Sequence, residues 1–167
     1  NILVAGDLCV KYKEEELICA GNGNKIIEDA VDVLADKDLS IVNMEMALTD
    51  EDNAIAKSGA CIRCKPECSK FIRECGFDIA CLANNHVGDY GPKAVMDAIR
   101  NLNSLNIATV GAGENIEKAK QPLYIEKNNI KIAVLNYAEH EFGFATKTQA
   151  GTAPMDVIDI WKGIKKT

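Results

Sequence analysis

Short apolar runs alternate with amphipathic helical patterns along most of this chain of 167 residues. The runs are rich in branched side chains, as buried strands are, and the segments between them repeat apolar residues at helical spacing. We predict strands at Ile2–Ala5, Leu39–Val42, Ile79–Leu82, Ala108–Val110, Leu123–Glu126 and Ile130–Leu135. This alternation predicts an α/β fold with a mostly parallel sheet and crossover helices. The turn-type residues 127–129 predict that the last two strands form an antiparallel hairpin.

Three predicted helices carry apolar residues at positions i, i+3, i+4 and i+7, which would give each of them one buried face. The first begins this pattern at Ile27, the second at Cys68 and the third at Val157. A further helix opens at Gly91-Pro92, because proline suits the first turn of a helix. The charged segment 49–59 shows neither pattern, and we expect it to be a surface or site-rim segment.

The most informative residues for function follow the third predicted strand. Asn84, Asn85, His86 and Asp89 lie between the apolar run that ends at Leu82 and the helix that opens at Gly91. Ligands of open α/β sheets gather at the carboxyl ends of strands. We therefore predict a functional site here.

Carboxylates follow the first two predicted strands as well. Asp7 comes after the strand that begins the chain, and Asn43 and Glu45 come after the second strand. Because side chains alternate along extended backbone, Asn43 and Glu45 point to the same side. Carboxylate oxygens are suitable ligands for a divalent cation. Asp7 could instead form a turn or cap a helix, and Glu45 could form an ordinary salt bridge.

The chain resembles the CapA, or poly-γ-glutamate capsule-synthesis, family of the calcineurin-like metallophosphoesterase superfamily. The matching motifs occur in the family's order over nearly the whole chain. They are Gly6-Asp7, Asn43-Met44-Glu45, Arg63, Pro66, Phe77-Asp78, Ala83-Asn84-Asn85-His86, Asp89-Tyr90-Gly91 and Gly111-Ala112-Gly113.

This resemblance implies an α/β/β/α sandwich with a dinuclear metal centre that hydrolyses phosphate esters. The two divalent metals would be Mn, Fe, Zn or Mg. The superfamily draws several histidine ligands from its second half, whereas this chain has only two histidines. We therefore expect residues 1–167 to be a single domain that is incomplete. It would associate with the missing C-terminal half or form a homo-oligomer.

The resemblance also implies roles for individual residues. Asp7, Glu45 and the amide oxygen of Asn85 would bind metal, and His86 would protonate the leaving group. Asp89 is spaced to accept a hydrogen bond from the imidazole, although it could equally cap a helix. We expect substrate contacts from Asn43, Asn84, Arg63, Glu139 and His140.

Several of these residues keep a structural alternative. Arg63 could equally form a loose surface ion pair, and Glu139 and His140 could be exposed without a function. Cys9 stands where the superfamily has a histidine, and it is either a thiolate ligand or, as we expect, a small buried hydrophobic residue. Cys61, Cys64 and Cys68 suggest zinc, but structural zinc needs four ligands and no second Cys/His pair is evident in the sequence.

Charge and cysteine content restrict the partners and the compartment. A formal charge of −6 disfavours nucleic-acid binding, which depends on a basic surface. Seven cysteines without the spacing of a secreted scaffold favour a reducing, cytoplasmic compartment. Export or membrane tethering, as in many members of the family, is the alternative. No apolar stretch is long enough to cross a bilayer.

These observations predict a metal-dependent phosphoesterase-like hydrolase that acts in making or remodelling an anionic capsule polymer such as poly-γ-glutamate. Its substrate would be an anionic small molecule or polymer. The alternative is a non-catalytic module that binds a polyanion or helps to assemble a capsule-synthesis system. A redox or zinc protein is a third interpretation.

Overall fold

The computed structural model describes the backbone of residues 1–167 and every side chain except that of Lys166. Its strands are β1 (Ile2–Leu8), β2 (Leu39–Met44), β3 (Ala47–Leu48), β4 (Arg63–Cys64), β5 (Ile79–Cys81), β6 (Ala108–Val110), β7 (Ala112–Gly113), β8 (Leu123–Lys127), β9 (Ile130–Val134) and β10 (Gly151–Thr152). Its α-helices are α1 (Tyr12–Cys19), α2 (Val31–Ala35), α3 (Cys68–Glu74), α4 (Gly91–Asn103), α5 (Ile116–Ala119) and α6 (Val157–Lys166). Two 3₁₀ turns, Gly23–Ile26 and Glu28–Ala30, precede α2.

The central sheet has the strand order β1-β2-β5-β6, and each neighbouring pair is parallel. The predicted α/β fold with a mostly parallel sheet and crossover helices is therefore confirmed. The pairing of β1 with β2 is irregular between Val4 and Asp7. Because β1 continues through this irregularity to Leu8, Asp7 lies within the strand and beside Asn43 of β2.

Alternate residues of the central strands form two separate cores. On one face, side chains such as Val42, Ala80 and Leu82 join a large buried cluster with Phe71 of α3 and Val95 of α4. On the other face, a smaller cluster packs against the β8–β9 hairpin. Its members are Leu39, Ile79 and Val110 from the sheet, with Leu123, Ile125, Ile132 and Val134 from the hairpin. The molecule is thus layered as helices, parallel sheet and hairpin.

The β8–β9 hairpin has the predicted antiparallel pairing. Asn128 and Asn129 form its turn with positive φ angles of 51° and 62°. Two successive positive φ angles are typical of a type I′ turn, which matches the twist of the strands it joins, and asparagine tolerates this conformation better than most residues.

Two predicted helices differ from their sequence patterns. The segment that begins at Ile27 is not one continuous helix, since 3₁₀ turns precede the five-residue α2. Its predicted buried face is also incomplete, because Val31 is 50% exposed. Helix α6 forms, and Asp156 caps it by accepting hydrogen bonds from two backbone N–H groups. Its apolar stripe is nevertheless exposed, since Val157 is 81% and Trp161 is 59% accessible.

Among the described residues, no helix combines the length and the apolar character needed to cross a membrane.

Candidate functional site

The carboxyl ends of β1, β2 and β5 lie side by side and bring the predicted site residues together. Asp7 is the register partner of Asn43, and Asn43 is the register partner of Cys81 at the end of β5. The loop that carries Asn84 and His86 follows β5 directly after Cys81. Parallel pairing in register therefore gathers three separate chain segments at one edge of the sheet.

Asn43 is at the centre of this cluster. Its Nδ2 donates to Asp7 Oδ1 at 2.8 Å and also to Glu45 Oε2, while its Oδ1 accepts from Asn84 Nδ2 at 3.3 Å. Burial raises the pKa of the Glu45 carboxyl, and the neighbouring carboxylate of Asp7 raises it further. The two carboxylates thus share one amide donor in a partly desolvated cleft.

Asn84 holds the backbone of the loop. Its side chain is buried, and its Oδ1 accepts hydrogen bonds from the N–H groups of His86 at 3.0 Å and Val87 at 2.9 Å. Its Nδ2 also donates to the carbonyl oxygen of Met44 at 2.8 Å. These bonds use both ends of the amide. Asn84 therefore fixes the position of the His86 backbone. A direct contact between Asn84 and substrate stays a prediction.

His86 and Asp89 form an oriented pair. His86 Nδ1 lies 2.8 Å from Asp89 Oδ2, and the histidine side chain is 21% exposed whereas Asp89 is fully buried. The backbone N–H of Ile62 donates to the same Asp89 oxygen at 2.8 Å. With Nδ1 facing the carboxylate, the imidazole is free to exchange a proton through Nε2.

Lys57 is a site residue that the sequence did not reveal. Its side chain is 2% exposed, and its ammonium group forms an ion pair with Asp89 Oδ1. Lys57 Nζ also donates to the carbonyl oxygen of Asn85 at 3.1 Å and lies 5.6 Å from the ring centroid of Phe142. The segment 49–59 borders the site as expected, but nothing in its pattern marks its single lysine as buried.

Asn85 contributes its backbone to this arrangement, and its side chain is exposed. Among the described hydrogen bonds, none joins the Asn85 side chain to Asp7 or Glu45. Its role as a metal ligand stays a prediction.

Arg63 is placed away from the carboxylate cluster. Its guanidinium forms an ion pair with Asp52, donates to the carbonyl oxygen of Thr49 at 3.3 Å and lies 5.3 Å from the ring centroid of Tyr90. These contacts correspond to the structural alternative of an ion-paired arginine. The described contacts of Arg63 do not include Asp7 or Glu45, and its contact with substrate stays a prediction.

The loop that contains Glu139 and His140 borders the site through other residues. His140 is exposed and stacks on Phe144 with ring centroids 4.0 Å apart, and Glu139 is exposed. The close approach to the site is made by Gly143, because a Cβ added to Gly88 would lie 2.8 Å from Gly143 Cα. Substrate contacts from Glu139 and His140 stay predictions.

Asn136 is a second supporting residue that the sequence analysis missed. Its Oδ1 accepts a hydrogen bond from the N–H of Ala83 at 2.6 Å. Gly111, with φ of +88°, leaves room for it, since a Cβ there would lie 2.1 Å from Asn136 Oδ1. The available signal was that Asn136 follows a predicted strand, as the recognised site residues do.

The expectation that Cys9 is a small buried hydrophobic residue is wrong, because Cys9 is exposed. Partial desolvation raises the pKa of its thiol, and the nearby carboxylates of Glu45 and Asp7 raise it further. A raised thiol pKa disfavours the thiolate form that binds metals.

The donor set at the cleft suits a hard cation. Asp7 and Glu45 offer carboxylate oxygens, and Mg²⁺ or Mn²⁺ binds such oxygens while keeping several waters. A cation would also relieve the repulsion that raises the pKa of Glu45. Among the described residues, Asp7 and Glu45 belong to no group of three or more His, Cys, Asp or Glu residues whose ligand atoms all lie within 4.8 Å of one another. The number of metal ions that the cleft holds stays a prediction.

Comparison with known proteins identifies the family of the chain. The family described as "Bacterial capsule synthesis protein PGA_cap" matches residues 1–160. The "Capsule biosynthesis protein CapA" of Bacillus anthracis is 28% identical over 99% of this chain and 42% of its own length. The "PGA biosynthesis protein CapA" of Bacillus subtilis (strain 168) is 26% identical over 90% of this chain and 41% of its own length.

A third relative, a "Probable polyglutamine synthesis accessory protein" of Mycobacterium tuberculosis (strain H37Rv), is 26% identical over 50% of this chain and 22% of its own length. The chain therefore spans about two fifths of the two CapA relatives and less of the third.

Proposed function

The chain belongs to the bacterial capsule synthesis protein family PGA_cap, and we propose that it is a metal-dependent phosphoester hydrolase. Its cellular task would be the synthesis or remodelling of an anionic capsule polymer such as poly-γ-glutamate. The names of its relatives support the link to capsule biosynthesis. The hydrolytic activity is our inference from the geometry.

The observation that carries this proposal is the oriented His86–Asp89 pair beside a cluster of carboxylates. Asp89 Oδ2 faces His86 Nδ1 at 2.8 Å, so that Nε2 is left to donate a proton to the departing oxygen of an ester. Lys57 and the N–H of Ile62 hold the Asp89 carboxylate in place. The imidazole thus has one preferred orientation before any substrate arrives.

Asp7 and Glu45 would hold a divalent cation, with Asn43 orienting both carboxylates. When bound, the cation would polarise the phosphoryl group and make water a better nucleophile. The partial burial of Glu45 strengthens electrostatic attraction to a cation, because a desolvated carboxylate is less well stabilised by water.

The test measures hydrolysis of an aryl phosphate monoester and an aryl phosphodiester by the intact protein with Mn²⁺. We expect His86→Ala to lower the rate by about 10²–10⁴-fold, the usual contribution of a general acid, while manganese binding persists. Lys93→Ala is the control, because Lys93 pairs with Glu51 on the surface of α4. Equal rates for the wild type and His86→Ala would contradict the hydrolytic proposal.

A second candidate is a non-catalytic module that binds a polyanion or assists assembly. The donor set favours it, because among the described residues Asp7 and Glu45 belong to no compact group of three or more His, Cys, Asp or Glu ligands, whereas a two-metal hydrolase needs several. Calorimetric titration of the intact protein with poly-γ-glutamate, with and without Mn²⁺, tests this candidate. Binding that requires Mn²⁺ together with absent hydrolysis would support the module.

A further inference from the structure

Three thiols and one carboxylate meet in a cluster outside the Asp7 cleft. Cys64 ends β4, Cys68 begins α3, and both are 0% exposed. Glu15 of α1 joins them, and the ligand atoms of these three residues all lie within 4.8 Å of one another. Among the described residues, this is the one group of three or more His, Cys, Asp or Glu residues that is so compact.

Cys19 extends the cluster to four residues. It lies one helical turn after Glu15 in α1, so both side chains project from the same face of that helix. A hydrogen bond between the two thiols places Cys19 beside Cys68. The helix therefore presents two ligand types to the two cysteines of β4 and α3.

One further contact orients the carboxylate of the cluster. The backbone N–H of Lys65 donates to Glu15 Oε2 at 2.9 Å, which fixes one carboxylate oxygen. The Glu15 carboxylate is thereby held beside the two buried thiols of Cys64 and Cys68.

We propose that Glu15, Cys19, Cys64 and Cys68 bind one zinc ion in a structural site that joins α1, β4 and α3. Zinc takes four ligands in tetrahedral geometry and accepts both thiolate and carboxylate. Zn–S bonds of about 2.3 Å place tetrahedral sulfur atoms about 3.8 Å apart. The ligand atoms of Glu15, Cys64 and Cys68, now within 4.8 Å of one another, would close by about 1 Å, and Cys19 would supply the fourth ligand from α1.

The proposal replaces one member of the cysteine set suggested by the sequence. Cys61 is not part of the cluster, because its thiol donates to the carbonyl oxygen of Ile55 at 3.8 Å. Cys19 takes its place from a helix more than 40 residues earlier in the chain. The ligand type also separates this site from the Asp7 cleft, since thiolates select zinc and all-oxygen sites select Mg²⁺ or Mn²⁺.

The test replaces zinc with Co²⁺ in the intact, reduced protein and records its absorption spectrum. We expect one equivalent of Co²⁺ to give thiolate-to-cobalt charge-transfer bands and tetrahedral d–d bands, both abolished by one equivalent of Zn²⁺. Cobalt held by the oxygens of the Asp7 cleft gives no thiolate bands, and measuring a Cys9→Ser variant removes the thiol beside that cleft, so this readout is independent of the proposed hydrolase. Absence of the thiolate bands would overturn the zinc site.

Matched cysteine variants identify the thiols that produce the charge-transfer bands. Cys64→Ser and Cys68→Ser should lose them, whereas Cys75→Ser, at the end of the same helix, and Cys61→Ser should keep them. Bands that survive in Cys64→Ser and Cys68→Ser, or that disappear in Cys61→Ser as well, would overturn the proposal.

The exposed thiol of Cys19 gives a test that does not depend on replacing a buried residue. We expect zinc to slow the alkylation of Cys19 by at least about tenfold, because a thiolate bound to metal is a poor nucleophile, and a chelator to restore the rate. Cys61, which is partly exposed and outside the cluster, serves as the internal control. Equal alkylation of Cys19 with and without zinc would overturn the assignment.

Discussion

Replacing Lys57 by methionine removes one charge from a buried ion pair and keeps most of the side-chain volume. Lys57 is 2% exposed and Asp89 is 0% exposed, so solvent screens their attraction very little. The substitution leaves the Asp89 carboxylate buried without its ammonium partner. We expect this variant to be markedly less stable than the wild type.

The magnitude follows from what remains around Asp89. Breaking a buried pair by removing one partner typically costs about 3–5 kcal/mol. Asp89 keeps the N–H of Ile62 and the ring of His86 as neighbours, both at 2.8 Å, which places the loss near the lower end of that range. A loss of about 3 kcal/mol, with a urea m-value of about 2 kcal/mol/M, lowers the unfolding midpoint by about 1.5 M.

Urea unfolding followed by circular dichroism measures this shift. Lys93→Met is the matched control, because the Lys93 ammonium pairs with Glu51 while 71% exposed, and exposed pairs contribute little. The double variant Lys57→Met/Asp89→Asn should lose less stability than the two single variants lose together, since it has no unpaired buried charge. Equal midpoints for Lys57→Met and Lys93→Met would refute the reasoning.

Two further predictions concern packing and pH. Gly88→Ala should destabilise the protein by about 1–3 kcal/mol in urea unfolding, because its Cβ would meet Gly143 Cα at 2.8 Å, whereas Gly6→Ala, with nothing within 4 Å, should be neutral or stabilising. An unchanged unfolding midpoint for Gly88→Ala would contradict this, because it would show that the loops of Gly88 and Gly143 separate easily. Burial raises the pKa of Cys75 to about 11, so the folded state keeps its proton while the unfolded thiol ionises, and stability should fall between pH 9 and pH 11. Cys75→Ala should flatten this decline in unfolding midpoints measured across that range, and an unchanged slope would contradict the assignment.

The local patterns of the sequence predicted most of the fold. Alternation of strand and helix patterns gave the parallel sheet, and the Asn-Asn turn gave the hairpin. The pattern failed at α6, because periodicity identifies an apolar face but cannot say whether another element covers it.

The polar residues at strand ends were also predictable, since parallel pairing brings the ends of neighbouring strands to one edge. Asp7, Asn43 and Glu45 were found in this way, and their hydrogen bonds join them as the strand order requires. The partners of Arg63 and the exposure of Cys9 were not predictable from position alone.

The sequence by itself determined which polar residues follow each strand, because apolar runs and the alternation of side chains are patterns of only a few residues. Only the tertiary structure decided that Lys57 is buried beside Asp89 and that Glu15 lies against Cys64 and Cys68. Each of these contacts joins residues at least 30 positions apart with no fixed spacing. Their meeting depends on how whole elements pack, and no local pattern encodes that packing.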